Sequence, residues 1–239
     1  MEKTAEQSIK PAVRALPKWE TQARDELKAG IRRFAKPLAD MSQRDANEGD
    51  TRLLVTDFLC DALGFDKFED LTTEYQVKGE FADYGIRIDK ELVAFLEVKR
   101  ITTKLGTKHL RQVEMYAVNE GVEWVLLTNG AEWQVYHLTG GLPVVIDLVM
   151  IVNLLDDTSL QRKVDQLYYL TRESLKREQI TDLWKARRAS SPRSLAQALL
   201  SDSVTTALRR EIKRANGHNI DEAELMKLLR DTVLRPECF

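Results

Sequence analysis

The sequence has little cysteine and no long apolar run. Two cysteines, Cys60 and Cys238, occur among 239 residues, which is too few for a disulfide framework or a cysteine-based zinc site. No run of about 18 apolar residues is present, and the first ten residues are polar, so we predict neither a membrane span nor a signal peptide. We therefore expect a cytoplasmic protein that does not associate with membranes.

Several catalytic motifs are also missing. The three histidines, His109, His137 and His218, lie far apart in the sequence with no histidine or cysteine at ligand spacing, which argues against a histidine-based zinc site. No Gly-x-x-x-x-Gly-Lys-Ser/Thr phosphate loop occurs, so the sequence predicts no ATP-driven motor. The flanking elbow of a nucleophilic serine or cysteine enzyme is absent as well.

Charge is distributed unevenly along the chain, although the formal net charge is only -2. Residues 37–161 hold 22 acidic and 11 basic residues, a net charge of -11, whereas residues 162–214 hold 13 basic and 6 acidic residues, a net charge of +7. Residues 1–36 carry +4. An acidic centre between basic flanks suits a carboxylate-based metal site beside phosphate-attracting arms, although solvated helix faces would give the same flanks.

The spacing of apolar residues changes from helical to alternating and back. Predicted helices cover residues 17–36, ending at Pro37, and 48–63, ending at Gly64. Predicted strands near 72–77, 82–88 and 92–99 are followed by a helix near 105–119 and by strands 123–128 and 133–138, joined through Asn129-Gly130. From about residue 158 onward the pattern is helical, with short helices after Pro192 and Asp221. These features predict an α/β (α+β) fold with a helical arm (1–45), a central domain (46–157) and a helical C-terminal region (158–239).

The segment from Asp83 to Lys99 predicts a β-hairpin with a turn at residues 89–91. If the turn is symmetric about Lys90, Asp83 lies directly opposite Glu97. Side chains alternate along a strand, so one face is almost wholly apolar and must lie on the core. That face holds Tyr84, Ile86, Ile88, Leu92, Ala94, Leu96 and Val98. Asp83, Glu97 and Lys99 share the other face.

Two opposed carboxylates repel each other unless a cation neutralises them. Carboxylate and main-chain carbonyl oxygens are ligands that Mg²⁺ prefers, and the cation can activate a bound water. Lys99, two residues beyond Glu97, can orient that water or offset charge on a phosphate. The alternative for Glu-x-Lys alone is an exposed strand face carrying an ordinary ion pair.

The residues after the hairpin supply further candidates. Gln112 and Tyr116 lie one helical turn apart, so both can face the same site, although such a pair alone is typical of a helix surface. We also expect a run of basic residues to contact nucleic acid, namely Arg100, Lys104, Lys108 and Arg111.

Together these residues resemble the PD-(D/E)XK nuclease superfamily, and within it the nuclease domain at the N-terminus of type I restriction enzyme R subunits. The resemblance covers about residues 46–138. Its motifs are Asn47-Glu48, Ala82-Asp83, Glu97-Val98-Lys99, Gln112 to Tyr116, the segment from Trp124 to Gly130, and Glu132-Trp133. The proline that names the superfamily is replaced by Ala82.

The resemblance implies a restriction-endonuclease-like αβββαβ core with a central mixed sheet flanked by helices. It implies that Asp83, Glu97 and the Val98 carbonyl bind Mg²⁺ or Mn²⁺, and that Lys99 is the catalytic lysine. Gln112 and Tyr116 would support the site and contact DNA, and Glu48 would contribute from the first helix of the core.

Two functions remain open at this point. The first is a metal-dependent DNA endonuclease of restriction, defence or repair type that acts on duplex DNA, as a homodimer or with a helicase or restriction-complex partner in trans. The second is a nuclease-fold module with weak or no catalysis, which binds nucleic acid or docks a protein through its helical C-terminal region.

Overall fold

The computed structural model describes residues 15–77, 80–140 and 144–236 and divides the chain into two compact units, Met1–Gln179 and Ile180–Phe239. The described strands are β1 (Leu71–Val77), β2 (Glu80–Ile88), β3 (Glu91–Val98), β4 (Trp124–Thr128), β5 (Glu132–Thr139) and β6 (Val145–Asn153). The first unit also contains the helices α1 (Lys18–Gln43), α2 (Glu48–Asp61), α3 (Leu110–Glu120), α4 (Leu160–Leu167) and α5 (Arg172–Leu175). The predicted domain boundaries after residues 45 and 157 both fall inside this first unit, and that division stays a prediction.

Within the described ranges, six strands form one mixed sheet in the order β1-β2-β3-β4-β5-β6. The β3–β4 pair is parallel and the other pairs are antiparallel. A parallel pair needs a crossover connection, and α3 provides it between β3 and β4. The predicted mixed sheet flanked by helices is confirmed.

The sixth strand, β6, was missing from the sequence prediction. Its sequence, Val-Ile-Asp-Leu-Val-Met-Ile-Val-Asn, is a nearly continuous apolar run. Periodicity alone does not distinguish such a run from a buried helix. Pairing with β5 makes it a strand, and it forms one edge of the sheet.

Helices cover both faces of the sheet. On one face, α3 packs over a cluster that includes Phe95, Val125 and Tyr136 from three neighbouring strands. On the other face, α2 reaches the sheet through Phe58, whose ring centroid lies 5.4 Å from that of Trp133. Because side chains alternate along each strand, β3 and β5 bury residues on both faces and are central to the core.

The first helix is longer than predicted. We expected it to end at Pro37, but α1 continues to Gln43 with Pro37 inside it. Proline removes one helical hydrogen bond, yet Phe34, Leu38 and Met41 are all buried on the same stripe. Packing of that stripe outweighs the cost of the proline. The second helix, α2, begins after Asn47, whose side chain accepts a hydrogen bond from the Asp50 N–H at 2.8 Å.

The β2–β3 hairpin follows the predicted register near the candidate site and departs from it near the turn. Tyr84 pairs with Leu96 as predicted. A register shift after Ile86 then places Ile88 opposite Glu91 instead of Leu92. Asp89 and Lys90 both have positive φ and make a two-residue turn, the geometry that matches strand twist.

That shift also corrects the predicted face of Leu92. We expected Leu92 on the same face as Tyr84, but it packs against the cluster under α3 that contains Phe95. A one-residue slip in pairing moves a side chain to the opposite face of the sheet.

The second unit is helical. Its elements are the remainder of α6 (Gln179–Ala189), α7 (Pro192–Leu199), α8 (Asp202–Asn216), α9 (Glu222–Leu228) and a π-helical turn (Leu229–Val233). Ser191 caps α7 and Asp221 caps α9 with their side-chain oxygens. Helices therefore do follow Pro192 and Asp221, as predicted.

Candidate functional site

The two predicted carboxylates meet on neighbouring strands. Tyr84 of β2 pairs with Leu96 of β3, so Asp83 and Glu97 are the next residues along the two strands. One oxygen of Asp83, Oδ2, accepts a hydrogen bond from the Val98 N–H at 2.8 Å. The hairpin thus holds the Asp83 carboxylate against the end of β3 where Glu97 is located.

Glu97 is a buried carboxylate with one hydrogen-bonded oxygen and one oxygen without a hydrogen-bond partner in the described part of the chain. It is 5% exposed, and its Oε1 accepts a hydrogen bond from Lys99 Nζ at 2.6 Å. Its Oε2 is buried and has no hydrogen-bond partner among the described residues. Burial, and next the charge of Asp83, raise the pKa of Glu97, while Lys99 opposes the shift. The site therefore concentrates negative charge where solvent cannot offset it.

Lys99 lies at the point where β3 ends. Its N–H donates to the Thr128 carbonyl at 2.7 Å, which anchors its backbone to β4. Burial by itself lowers the pKa of Lys99, but the hydrogen bond and charge of Glu97, with Glu48 and Asp83, more than compensate and raise it. The side chain is therefore an ammonium at neutral pH, able to donate hydrogen bonds and unable to accept a proton.

Glu48 approaches the site from the start of α2. It is the first residue of that helix and lies close enough to Lys99 for its charge to raise the lysine pKa. His109, which sequence reasoning set aside, is in the same neighbourhood. Burial, then the charges of Lys108 and Lys99, lower the pKa of His109, and its Nδ1 is buried without a hydrogen-bond partner among the described residues.

Sequence reasoning also missed Arg52. Its Nη2 lies 2.7 Å from Asp83 Oδ1, and its Nη1 lies 3.7 Å from Glu74. Arg52 comes four residues after Glu48 in α2, so the two share one helix face. That i, i+4 spacing was the available signal.

Gln112 and Tyr116 were predicted to share a face of α3, and Tyr116 is buried and not on the helix surface. Tyr116 is 1% exposed, and its ring packs edge-on against Phe95 with centroids 6.3 Å apart. Its side chain therefore belongs to the core beneath α3. Gln112 is in the same helix, but its side chain lies outside the described part of the structure. A DNA contact by either residue stays a prediction.

The four predicted basic residues divide into two groups. Arg100 is paired with Asp45, whose main-chain oxygen it also contacts at 2.9 Å. Lys104, Lys108 and Arg111 are exposed. They extend from the loop after β3 into α3 and leave three cations in solvent.

Comparison with known families then adds an independent observation. Residues 47–142 match the type I restriction enzyme R protein N terminus (HSDR_N). The matched segment therefore resembles a restriction-related, nuclease-like module. No curated protein and no solved structure matches the chain at the level taken as significant. None of the described helices is both long and apolar enough to cross a membrane.

The HSDR_N-like segment begins at Asn47, the cap of α2, and contains every candidate catalytic residue named above. Ala82, which stands where the superfamily name has proline, is fully buried in the cluster under α3.

The donor set near Glu97 suits a cation with oxygen ligands. No group of three or more histidine, cysteine, aspartate or glutamate residues has metal-binding geometry within the described ranges. Asp83 and Glu97 are a pair, to which a main-chain carbonyl such as that of Val98 and waters would have to be added. Within this pair, Oε2 of Glu97 is the buried oxygen without a hydrogen-bond partner among the described residues, and it is therefore the oxygen that could bind a cation.

Proposed function

We propose that this protein hydrolyses phosphodiester bonds of duplex DNA at a site formed by Asp83, Glu97 and Lys99, using Mg²⁺ or Mn²⁺. The observation that carries the proposal is the buried, unpartnered Oε2 of Glu97 beside a second carboxylate. A carboxylate oxygen buried without a partner is costly for stability, so it points to a functional role. The match of residues 47–142 to a restriction enzyme R family supports the same class of reaction.

In this proposal, Asp83, Glu97 and the Val98 carbonyl hold the metal ion. A bound divalent cation polarises a phosphate oxygen and lowers the pKa of a bound water. Glu97 remains ionised beside a cation because the added positive charge reverses the effect of burial on its pKa. The Asp83 backbone stays in place because β2 is hydrogen-bonded to β3 on one side and to β1 on the other.

Lys99 acts as a donor and not as a base. Its pKa is raised in the metal-free site, so the side chain enters the reaction as an ammonium. The ammonium can donate to a non-bridging phosphate oxygen and offset the charge that develops there. Glu48, whose charge raises the pKa of Lys99, keeps that proton in place as a positioning residue.

The physiological setting is also part of the proposal. The 239 residues contain no phosphate loop of the motor type, so translocation would come from a motor outside them, in a restriction or defence complex in the cytoplasm. Lys104, Lys108 and Arg111 are exposed and would contact the DNA backbone. Cleavage of both strands by a protein with one site per chain would use two copies.

The decisive experiment is cleavage of supercoiled plasmid by the full chain with Mg²⁺, Mn²⁺ or EDTA. Wild type should nick or linearise the plasmid with either metal and be inactive in EDTA. Lys99→Ala should lose roughly 100-fold or more of the activity, since one charged transition-state donor is removed. Lys90→Ala, at the exposed hairpin turn, is a matched control that should retain activity. Cleavage by Lys99→Ala at the wild-type rate contradicts the assignment.

An adaptor without catalysis is the second candidate. It is favoured by the second unit, where Leu195, Leu199 and Val233 expose apolar side chains. Calorimetric titration with Mn²⁺ separates the two functions. A nuclease should bind the metal and lose binding in Asp83→Asn, whereas an adaptor should show no metal binding in either protein.

A further inference from the structure

Asp83 has partners for both oxygens without any metal. Val98 N–H donates to Oδ2 at 2.8 Å, and Arg52 Nη2 lies 2.7 Å from Oδ1. We propose that Arg52 is an exchangeable counter-ion: it neutralises Asp83 in the metal-free protein and moves to a phosphate of the DNA backbone when a divalent cation takes Asp83. This inference rests on the proposed function and assigns Arg52 a part in it.

The backbone of Arg52 is held in place. Its main-chain carbonyl accepts hydrogen bonds from the Tyr84 hydroxyl at 3.1 Å and from the Thr56 hydroxyl at 2.9 Å. Tyr84 is adjacent to Asp83 on β2, so these contacts tie α2 to the strand that carries the carboxylate. The guanidinium can change partner while the backbone stays in place.

The guanidinium of Arg52 is held by much weaker contacts than its backbone. The Arg52 side chain is 33% exposed, its contact with Glu74 is long at 3.7 Å, and its Nε has no hydrogen-bond partner among the described residues. A guanidinium has five N–H donors. Only one of them makes a close ion pair here, with Asp83. Lys99 differs, because its single ammonium is 21% exposed and lies 2.6 Å from Glu97.

The charges of the site make the exchange favourable. Asp83 and Glu97 contribute two negative charges, which Arg52 and Lys99 balance in the metal-free protein. A divalent cation at the carboxylates adds two positive charges and repels the nearby guanidinium. Phosphate is the anion that DNA would bring, and arginine binds it in a bidentate manner.

Two consequences follow by thermodynamic linkage. Arg52 competes with the metal for Asp83, so it weakens metal binding in the absence of DNA. DNA gives Arg52 another partner, so metal and DNA should each strengthen binding of the other.

The test begins with Mn²⁺ titrated calorimetrically into the full chain without DNA. Arg52→Gln should bind Mn²⁺ roughly threefold to tenfold more tightly than wild type, the range expected from loss of one partly exposed ion pair. Arg33→Gln is the matched control, because it makes the same charge change and also frees an aspartate, Asp61, at an exposed pair. It should bind Mn²⁺ like wild type.

The second measurement is fluorescence anisotropy with a labelled duplex, in Ca²⁺ and in EDTA. Arg52→Gln should bind DNA more weakly than wild type in Ca²⁺, where Arg52 is released. In EDTA the two proteins should bind alike, because Asp83 holds the arginine. An equal loss of DNA affinity in both conditions overturns the exchange and makes Arg52 a permanent DNA contact.

The outcomes separate this inference from the proposed function. If wild type binds Mn²⁺ and Arg52→Gln binds it no more tightly, Arg52 does not compete with the metal for Asp83. The proposed metal site is then still supported. If no variant binds Mn²⁺ at millimolar concentration, the metal site and the inference both fail. Should Arg52→Gln not fold by circular dichroism, Arg52→Lys carries the test. A lysine holds Asp83 less firmly, so its Mn²⁺ affinity should exceed that of wild type by a smaller factor, and an unchanged affinity overturns the inference.

Discussion

Glu97 and Lys99 form a close but incomplete pair: Lys99 Nζ lies 2.6 Å from Oε1 of Glu97, while Oε2 is buried with no partner among the described residues. A buried carboxylate retains a large desolvation cost unless all of its oxygens are hydrogen-bonded. This arrangement is therefore poor for stability. It is suited to receiving a cation.

Glu97→Gln should abolish Mn²⁺ binding and cleavage and yet stabilise the metal-free protein. The amide oxygen can still accept from Lys99, and the charge is gone, so we expect a gain of about 1 kcal/mol at neutral pH in EDTA. Burial holds the folded-state pKa of Glu97 above its usual 4.5. The destabilisation by Glu97 therefore develops as pH rises through that folded-state pKa, and the gain in the variant should shrink toward pH 4.

Thermal unfolding of both proteins in EDTA, at neutral and acidic pH, checks this prediction. Glu173→Gln is the control, because Glu173 belongs to a partly exposed i, i+4 pair with Arg177, and its unfolding free energy should change little. A Glu97→Gln protein clearly less stable than wild type at pH 7 would make Glu97 a structural residue.

Gly30→Ala should destabilise the first unit although alanine is the better helix former. A Cβ at Gly30 would lie 2.3 Å from the Cβ of Ala62 and 2.8 Å from its Cα, because α1 passes directly over the end of α2. Overpacking costs about 1 to 3 kcal/mol, against about 1 kcal/mol gained from helix propensity. We expect net destabilisation in chemical denaturation.

Two further variants test the reason. Gly140→Ala has no atom of the described residues within 4 Å of the added Cβ and should be neutral. The double variant Gly30→Ala with Ala62→Gly removes the closer of the two contacts, that with the Cβ, and should recover part of the loss. Absence of any recovery would mean that the two residues are not in contact.

Arg172→Ala should be strongly destabilising. Asp70 is 2% exposed, and Arg172 donates to it from Nε at 2.7 Å and from Nη2 at 3.2 Å. Removal of the guanidinium leaves the buried Asp70 carboxylate without its cationic partner, which lowers the free energy of unfolding by about 3 kcal/mol. Lys36→Ala breaks an exposed ion pair with Asp40 and should cost about 0.5 kcal/mol or less.

Urea unfolding of the two variants measures the difference. Adding Asp70→Asn to Arg172→Ala should restore part of the stability, because it removes the uncompensated charge. Equal effects of Arg172→Ala and Lys36→Ala would show that Asp70 is more accessible to water than the structure indicates.

Tyr168 should ionise unusually late. Burial and then the charge of Glu20 raise its pKa from 10.0 to about 12, although Arg24 above the ring and Gln179 on the hydroxyl act in the opposite direction. The folded-state pKa exceeds the unfolded one, so the stabilising contribution is complete below pH 10 and is lost between pH 10 and about 12.

Ultraviolet titration of phenolate checks the prediction. The pKa values of Tyr84 and Tyr136 are also raised by burial, so the difference between wild type and Tyr168→Phe isolates the one hydroxyl. The variant should lack the latest step of the titration. A difference spectrum centred near pH 10 contradicts the prediction.

Much of the fold was predictable because its signals are local. Alternating apolar residues located five of the strands described here, the apolar stripe and Gly64 located α2, and Gly130 has the positive φ that the predicted turn needs. The register at Asp83 was predicted from a turn symmetric about Lys90, and it holds because the register shift after Ile86 offsets the shorter turn.

Other features depended on partners distant in the sequence. Pro37 did not end α1, since tertiary packing of Leu38 and Met41 outweighed a local preference. The apolar run of β6 became a strand because β5 offered an unpaired edge. Burial of Tyr116 likewise follows from its contact with Phe95 across the gap between helix and sheet.

The sequence by itself determined that Asp83 and Glu97 lie side by side on the β2–β3 hairpin, because strand periodicity and a turn near Lys90 bring the two residues together, although it misplaced Leu92. Only the tertiary structure decided the electrostatics of the pair. Arg52 and Glu48 come from α2, and both precede Asp83 by more than 30 positions in the sequence. No local pattern links them to the hairpin. Packing of α2 on the sheet brings their charges to the carboxylates, and burial then sets how strongly those charges act.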